Sequence, residues 1–193
     1  MLSQLWPALR INIFLVILLG LGYPLAVTGV SQLIFPHQAN GSLITKGNQV
    51  IGSELIGQNF HKSEYFQPRP SAAGADGYDP TASGGFNQGP TNQKLIDRVK
   101  AATDKFHKDN PDYHGPIPAD LLTASASGLD PEISPASAQA QEARVAKARG
   151  LSMDQLSQLV AQYTKSPDLG LLGEPRVNVL KLNLALDQQY PRK

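Results

Sequence analysis

Ile11-Asn-Ile-Phe-Leu-Val-Ile-Leu-Leu-Gly-Leu-Gly-Tyr-Pro-Leu-Ala-Val-Thr-Gly-Val-Ser-Gln-Leu-Ile-Phe35 runs for 25 positions without a charged residue. As a helix it reaches roughly 37 Å, enough to cross a hydrocarbon layer of about 30 Å with some tilt. The strictly apolar part, Ile13 to Gly22, has the length of a signal-peptide core. No small-x-small cleavage site follows it, however, and apolar positions resume at Ala26, Val27, Val30, Leu33, Ile34 and Phe35. The pattern therefore predicts a retained anchor: a tail over residues 1–10, a transmembrane helix over 11–35 and a separate domain over 36–193. Pro24 interrupts the run, which a membrane helix tolerates when neighbours cover the freed carbonyls. Gly20, Gly22, Ala26 and Gly29 are small. Gly22, Ala26 and Gly29 share a face at helical spacing and are candidate contacts for another span. Arg10 precedes the run, and Lys46 is the first basic residue after it. That bias predicts a cytoplasmic N-terminus and a domain outside.

The first acid of the chain is Glu54, and the rest of the chain after the apolar run is balanced in charge. Such a domain has no electrostatic reason to bind nucleic acid. There is no cysteine, which excludes disulfides, thiolate metal sites and a cysteine nucleophile.

Beyond the anchor the pattern predicts a mixed α+β domain with three to four helices and a few short strands. Ser42 to Lys46 and Gln49 to Ile51 flank Gly47-Asn48, a tight-turn pair, and read as a hairpin. From Gly52 to Pro90 the chain is rich in Gly, Pro, Ser, Ala and Asn, yet it carries Phe60, Tyr65, Phe66, Tyr78 and Phe86. Those aromatics predict an ordered, anchored loop region. A helix follows from Asn92 to about Lys108. A second is opened by Ser134-Pro135 and closed by Gly150. A third opens on a Ser152/Gln155 capping box and stops at Ser166-Pro167. Residues 177–186 read as a short strand and then a helix.

No phosphate-binding loop, nucleophile elbow or zinc-protease helix occurs. His37, His61, His107 and His114 have no ligand-like spacing, so no metal site is expected. Three dense segments remain. In Tyr65-Phe-Gln-Pro-Arg-Pro-Ser-Ala-Ala73, two prolines fix the backbone around Arg69. Its guanidinium either binds a partner or ties loops together. Ser83-Gly-Gly-Phe-Asn-Gln-Gly-Pro-Thr-Asn92 opens a helix, where glycines serve either anion binding or turn chemistry. Thr123-Ala-Ser-Ala-Ser-Gly-Leu-Asp-Pro-Glu-Ile-Ser-Pro135 reads as a capping turn. Its alternative is a membrane-anchored periplasmic hydrolase using Ser125, Ser127 or Asp130. A free solute-binding domain is a third possibility.

Taken in order, these segments resemble the C subunit of the Kdp potassium-transporting ATPase of bacteria and archaea. The resemblance rests on Tyr23-Pro-Leu-Ala-Val-Thr-Gly29, Gln38-Ala-Asn-Gly-Ser-Leu43, Gly52-Ser-Glu-Leu-Ile-Gly-Gln58, Arg69-Pro-Ser-Ala-Ala73 and Gly89-Pro-Thr-Asn92. It continues through Thr123 to Pro131, Arg144-Val-Ala-Lys-Ala-Arg-Gly150, Pro175-Arg-Val-Asn-Val-Leu180 and Leu182-Asn-Leu-Ala-Leu-Asp187. It implies a non-catalytic accessory subunit of an inner-membrane potassium-uptake complex. The partners it implies are a channel-like subunit, a P-type ATPase subunit and a small one-helix subunit. It implies no cofactor held by this chain, with ATP and potassium acting in the complex. The family is described as a catalytic chaperone that raises the ATPase subunit's affinity for ATP. Ser83, Gly84, Gly85, Asn87 and Gln88 resemble the Ser-Gly-Gly-Gln signature of ABC transporters, but Phe86 and Asn87 stand where its glutamine belongs. Phe86 also departs from the family's usual Ser-Gly-Gly-Ser-Asn. A domain outside the cell does not meet cytoplasmic ATP, so the expected topology conflicts with direct nucleotide contact.

Overall fold

The computed structural model describes residues 2–191. The chain forms two units, Met1–Leu43 and Ile44–Lys193.

The first unit is dominated by one helix, α1 (Leu5–Ile34), long and apolar enough to cross a membrane. Its 30 residues correspond to about 45 Å. It starts six residues before the uncharged run, because Leu5, Trp6, Ala8 and Leu9 continue the apolar pattern. Pro7 lies in the first turn, where the missing N–H has no helical partner to lose. The middle, Val16–Gly22, is wound as a π-helix. A one-turn helix, α2 (Pro36–Ala39), follows.

Next comes the expected hairpin, β1 (Leu43–Lys46) and β2 (Gln49–Ser53), turning at Gly47 with φ of 62°; all of it but Leu43 belongs to the second unit. Four helices follow: α3 (Gln93–Asp109), α4 (Pro135–Arg149), α5 (Met153–Tyr163) and α6 (Val179–Gln189). Asn92, Ser134, Ser152 and Asn178 cap them, each side chain accepting an N–H of the first turn. Gly150 takes the left-handed conformation that ends α4. Three short strands, β3 (Glu132–Ile133), β4 (Thr164–Lys165) and β5 (Arg176–Asn178), form an antiparallel sheet in the order β3-β5-β4. In register, Ile133 and Thr164 both face Val177.

The core joins that sheet to α4, α5 and α6. Ile133, Val145, Leu156, Leu159, Val177, Leu182 and Leu186 are buried there together with Phe66. Each such side chain contributes about 1.5–3 kcal/mol on burial. Phe66 is the one core member from the irregular region, and it fixes that region to the helices.

One buried group works against the core. Glu142 on α4 is buried, and the Ser157 hydroxyl donates to its Oε2 at 2.6 Å. Burial raises its pKa above the usual carboxylate value, and the Ser157 bond opposes this only in part. A raised folded pKa gives stability that is present at low pH and lost as pH rises through that pKa. Ionised Glu142 is therefore a cost at neutral pH. Glu142→Gln is expected to raise the melting temperature by about 2–4 °C at pH 7.5. The difference from the parent should vanish near pH 4, as read by circular dichroism melts at both pH values.

Candidate functional site: a loop junction at Arg69 and Asp130

Residues 54–92 contain no helix or strand beyond an isolated bridge between Ser53 and Ile56. Helix side chains order them instead. The Asn183 amide bonds both backbone groups of Phe66: Oδ1 accepts its N–H at 2.9 Å and Nδ2 donates to its carbonyl at 2.9 Å. Gln141 does the same for Gln67, at 2.8 and 3.1 Å. Each amide replaces a strand partner. Arg144 completes the clamp. Its guanidinium donates to the carbonyls of Ser63 and Tyr65, to Asn110 Oδ1 and to Gln141 Oε1. Arg149 adds bonds to the Glu64 carbonyl and to Asp187. Tyr65, Phe66 and Tyr78 are buried, while Phe86 stays 39% exposed.

Positioned by this clamp, the three dense segments meet. Arg69 Nη1 lies 2.6 Å from Asp130 Oδ2, joining the first segment to the third. Asp130 Oδ1 accepts the Glu132 N–H, so both its oxygens are engaged. The Ser71 hydroxyl donates to the Gly128 carbonyl and accepts the N–H groups of Ala73 and Tyr78. Tyr78 donates its hydroxyl to the Arg69 carbonyl. Burial, with Asp130 nearby, pushes the Tyr78 phenol well above its ordinary value, so it stays a proton donor. Gly57 lets the segments of this junction approach: a Cβ there would lie 2.3 Å from the Tyr78 ring and 2.8 Å from the Asp130 carbonyl.

The second segment joins through Ser127, whose carbonyl accepts the Gly84 N–H and the Ser83 hydroxyl. A Cβ on Gly85 would press on the Ala126 backbone. Asn87 has φ of 50°, and Gln88 accepts from Arg98 Nη1 at 2.6 Å. Arg98 also lies over the Phe86 ring, 3.7 Å from its centroid. Ser83, Gly84, Gly85 and Gln88 thus serve contacts inside the domain, and Phe86 makes a cation–π contact. Ser125 and Ser127 cap their own turn: their hydroxyls accept the N–H groups of Gly128 and Leu129.

Arg69 keeps one unused group. Its Nε is enclosed and has no acceptor among the described residues. The residue lines a cavity of about 360 Å³ with Phe60, Gln67, Ser71, Phe106 and Gln141. Arg69 thus ties loops together through a carboxylate. Gly22, Ala26 and Gly29 lie in α1, within the other unit. Gln141, Arg144, Arg149 and Asn183 were not singled out as site residues, although Arg144, Arg149 and Asn183 lie in segments that carry the family resemblance. A second signal was polar residues placed among helix positions that the apolar pattern assigns to the core.

The family model described as K+-transporting ATPase, c chain, matches residues 5–188. The chain is 56% identical over 191 residues to the potassium-transporting ATPase KdpC subunit of Rhodospirillum rubrum, covering 99% of this chain and 98% of that one. It is 52% identical to the KdpC subunit of Myxococcus xanthus, covering 98% and 90%. It is 56% identical to that of Gemmatimonas aurantiaca, covering 97% and 94%. With the family model and relatives of this similarity spanning nearly its whole length, the chain belongs to the KdpC family, the c chain of K+-transporting ATPases.

Proposed function

We propose that the chain is the non-catalytic accessory subunit of a high-affinity, ATP-driven potassium-uptake complex, anchored by α1 with its domain outside the cell. The observation that carries this reading is the end-to-end similarity to subunits named for a potassium-transporting ATPase. In it the domain is a rigid docking body. Its irregular region is pinned by Asn183, Gln141 and Arg144, and the Arg69 junction presents a fixed surface to partner subunits. Partners are a channel-like subunit, the P-type ATPase subunit and a small one-helix subunit. The domain raises the ATPase subunit's affinity for ATP through assembly rather than by holding the nucleotide. Two features support that indirect route: the bonding of Ser83, Gly84 and Gln88 within the domain, and the basic bias before α1.

Placement is tested with Ser3→Cys and Ser166→Cys in the full chain, both positions being exposed. In cells with a permeabilised outer membrane, an impermeant thiol reagent is expected to label only the Ser166→Cys variant. Labelling of the Ser3→Cys variant alone would reverse the orientation and restore direct contact with cytoplasmic ATP.

A further inference from the structure

Helix α1 carries a hydrogen-bonding defect at its centre. In a π-helix the N–H of each residue bonds the carbonyl five positions earlier. Tyr23, at the end of the π stretch, donates to the Leu18 carbonyl. In α-helical register that N–H would serve Leu19. The next donor in π register would come from residue 24, which is proline and has no N–H. The Leu19 carbonyl is left without either donor. The Gly20 carbonyl loses its α-helical donor to the same proline and keeps only the π-register donor, the Leu25 N–H. Gly20 and Gly22 bear no side chains, which leaves room beside the defect for another helix backbone. The side-chain bond within α1, from Asn12 to the Ala8 carbonyl, lies about two turns away. Leu19 and Gly20 are the middle residues of Leu5–Ile34. At that depth in a bilayer there is no water to take the place of a donor.

We propose that this defect is a contact site for a neighbouring membrane helix of a partner subunit, which places a hydroxyl or amide donor against the Leu19 carbonyl. The inference rests on the accessory-subunit reading above. Hydrogen-bond complementarity selects the occupant: acyl chains have no donor, whereas Ser, Thr, Asn and Gln side chains bond across packed spans. The π turn and Pro24 expose the acceptor, and the two glycines let the partner's backbone approach.

The test is retention of the partner subunits by tagged full-length chain co-expressed with them and extracted in mild detergent. Pro24→Ala returns an N–H, which the helix can use to satisfy the exposed carbonyl itself. Gly20→Leu fills the face where the partner's backbone would approach, and its Cβ would lie 3.8 Å from Val16 Cγ1, an ordinary contact within the helix. Both variants are expected to insert into the membrane normally and to bind partners roughly three- to thirtyfold more weakly, the range of interhelical hydrogen bonds. Wild-type retention by both variants would overturn the proposal and leave the accessory-subunit reading intact. Failure of the unaltered chain to retain any partner would instead defeat that reading. Self-association of the purified chain, lost in the same variants, would assign the site to a second copy and overturn the partner assignment.

Discussion

Arg144→Ala lowers the melting temperature of the chain by about 10 °C. The guanidinium is buried and has no carboxylate in hydrogen-bond contact; its four partners are two backbone carbonyls and two side-chain amides. Burial lowers its pKa to about 10, still far enough above neutrality to keep the charge. Alanine leaves the Ser63 and Tyr65 carbonyls without this donor and empties the space between α4 and the irregular region. Losses of this kind cost about 3–5 kcal/mol, and each kcal/mol is about 2–4 °C in a chain of this size. Arg144→Lys recovers only part of the loss, since one ammonium does not reach acceptors in four directions. Thermal melts followed by circular dichroism check this. A fall of under 2 °C in the alanine variant would show that Asn183 and Gln141 alone hold the region.

Arg69→Ala and Arg69→Lys are both expected to lower potassium-dependent ATP hydrolysis by the assembled complex about tenfold, equivalent to roughly 1.4 kcal/mol. The residue uses Nη1 on Asp130 and keeps Nε enclosed, a placement of the flat guanidinium that a lysine ammonium does not reproduce. Asp130→Asn added to Arg69→Ala should cost little more, because the pair acts as one unit. Activity of the lysine variant near the parent's would show that positive charge suffices. Unchanged activity, assembly and melting in both variants would reduce Arg69 to a solvated loop residue.

The helices were legible because their signals are local. Asn92, Ser134-Pro135, the Ser152/Gln155 box and Gly150 each sit within one turn of the boundary they set. The strand-then-helix reading of residues 177–186 also held, since Asn178 ends β5 and caps α6. Residues 52–90 were legible as an ordered loop region anchored by aromatics, Tyr65, Phe66 and Tyr78 being buried, but what holds their backbone was not. They are held by Gln141 and Asn183, 74 and 117 positions from the groups they bond, and nothing local marks such pairs. The same distance hid the junction. The dense segments were readable one by one, but the ion pair between Arg69 and Asp130 spans 61 positions. The start of α1 fell outside the predicted stretch because the absence of charge, not helix propensity, defined that stretch. Arg10 itself is helical. The π turn was foreshadowed only by Pro24, whose effect on the preceding carbonyls is visible once their donors are traced.

The most direct measurement is purification of the unaltered chain from native membranes through a C-terminal tag, with eluate and chain alone assayed for ATP hydrolysis. Partner subunits and potassium-stimulated ATPase activity are expected to elute with the chain, while the separated chain turns over no ATP. A chain that elutes alone, or that hydrolyses ATP by itself, would contradict the accessory-subunit reading.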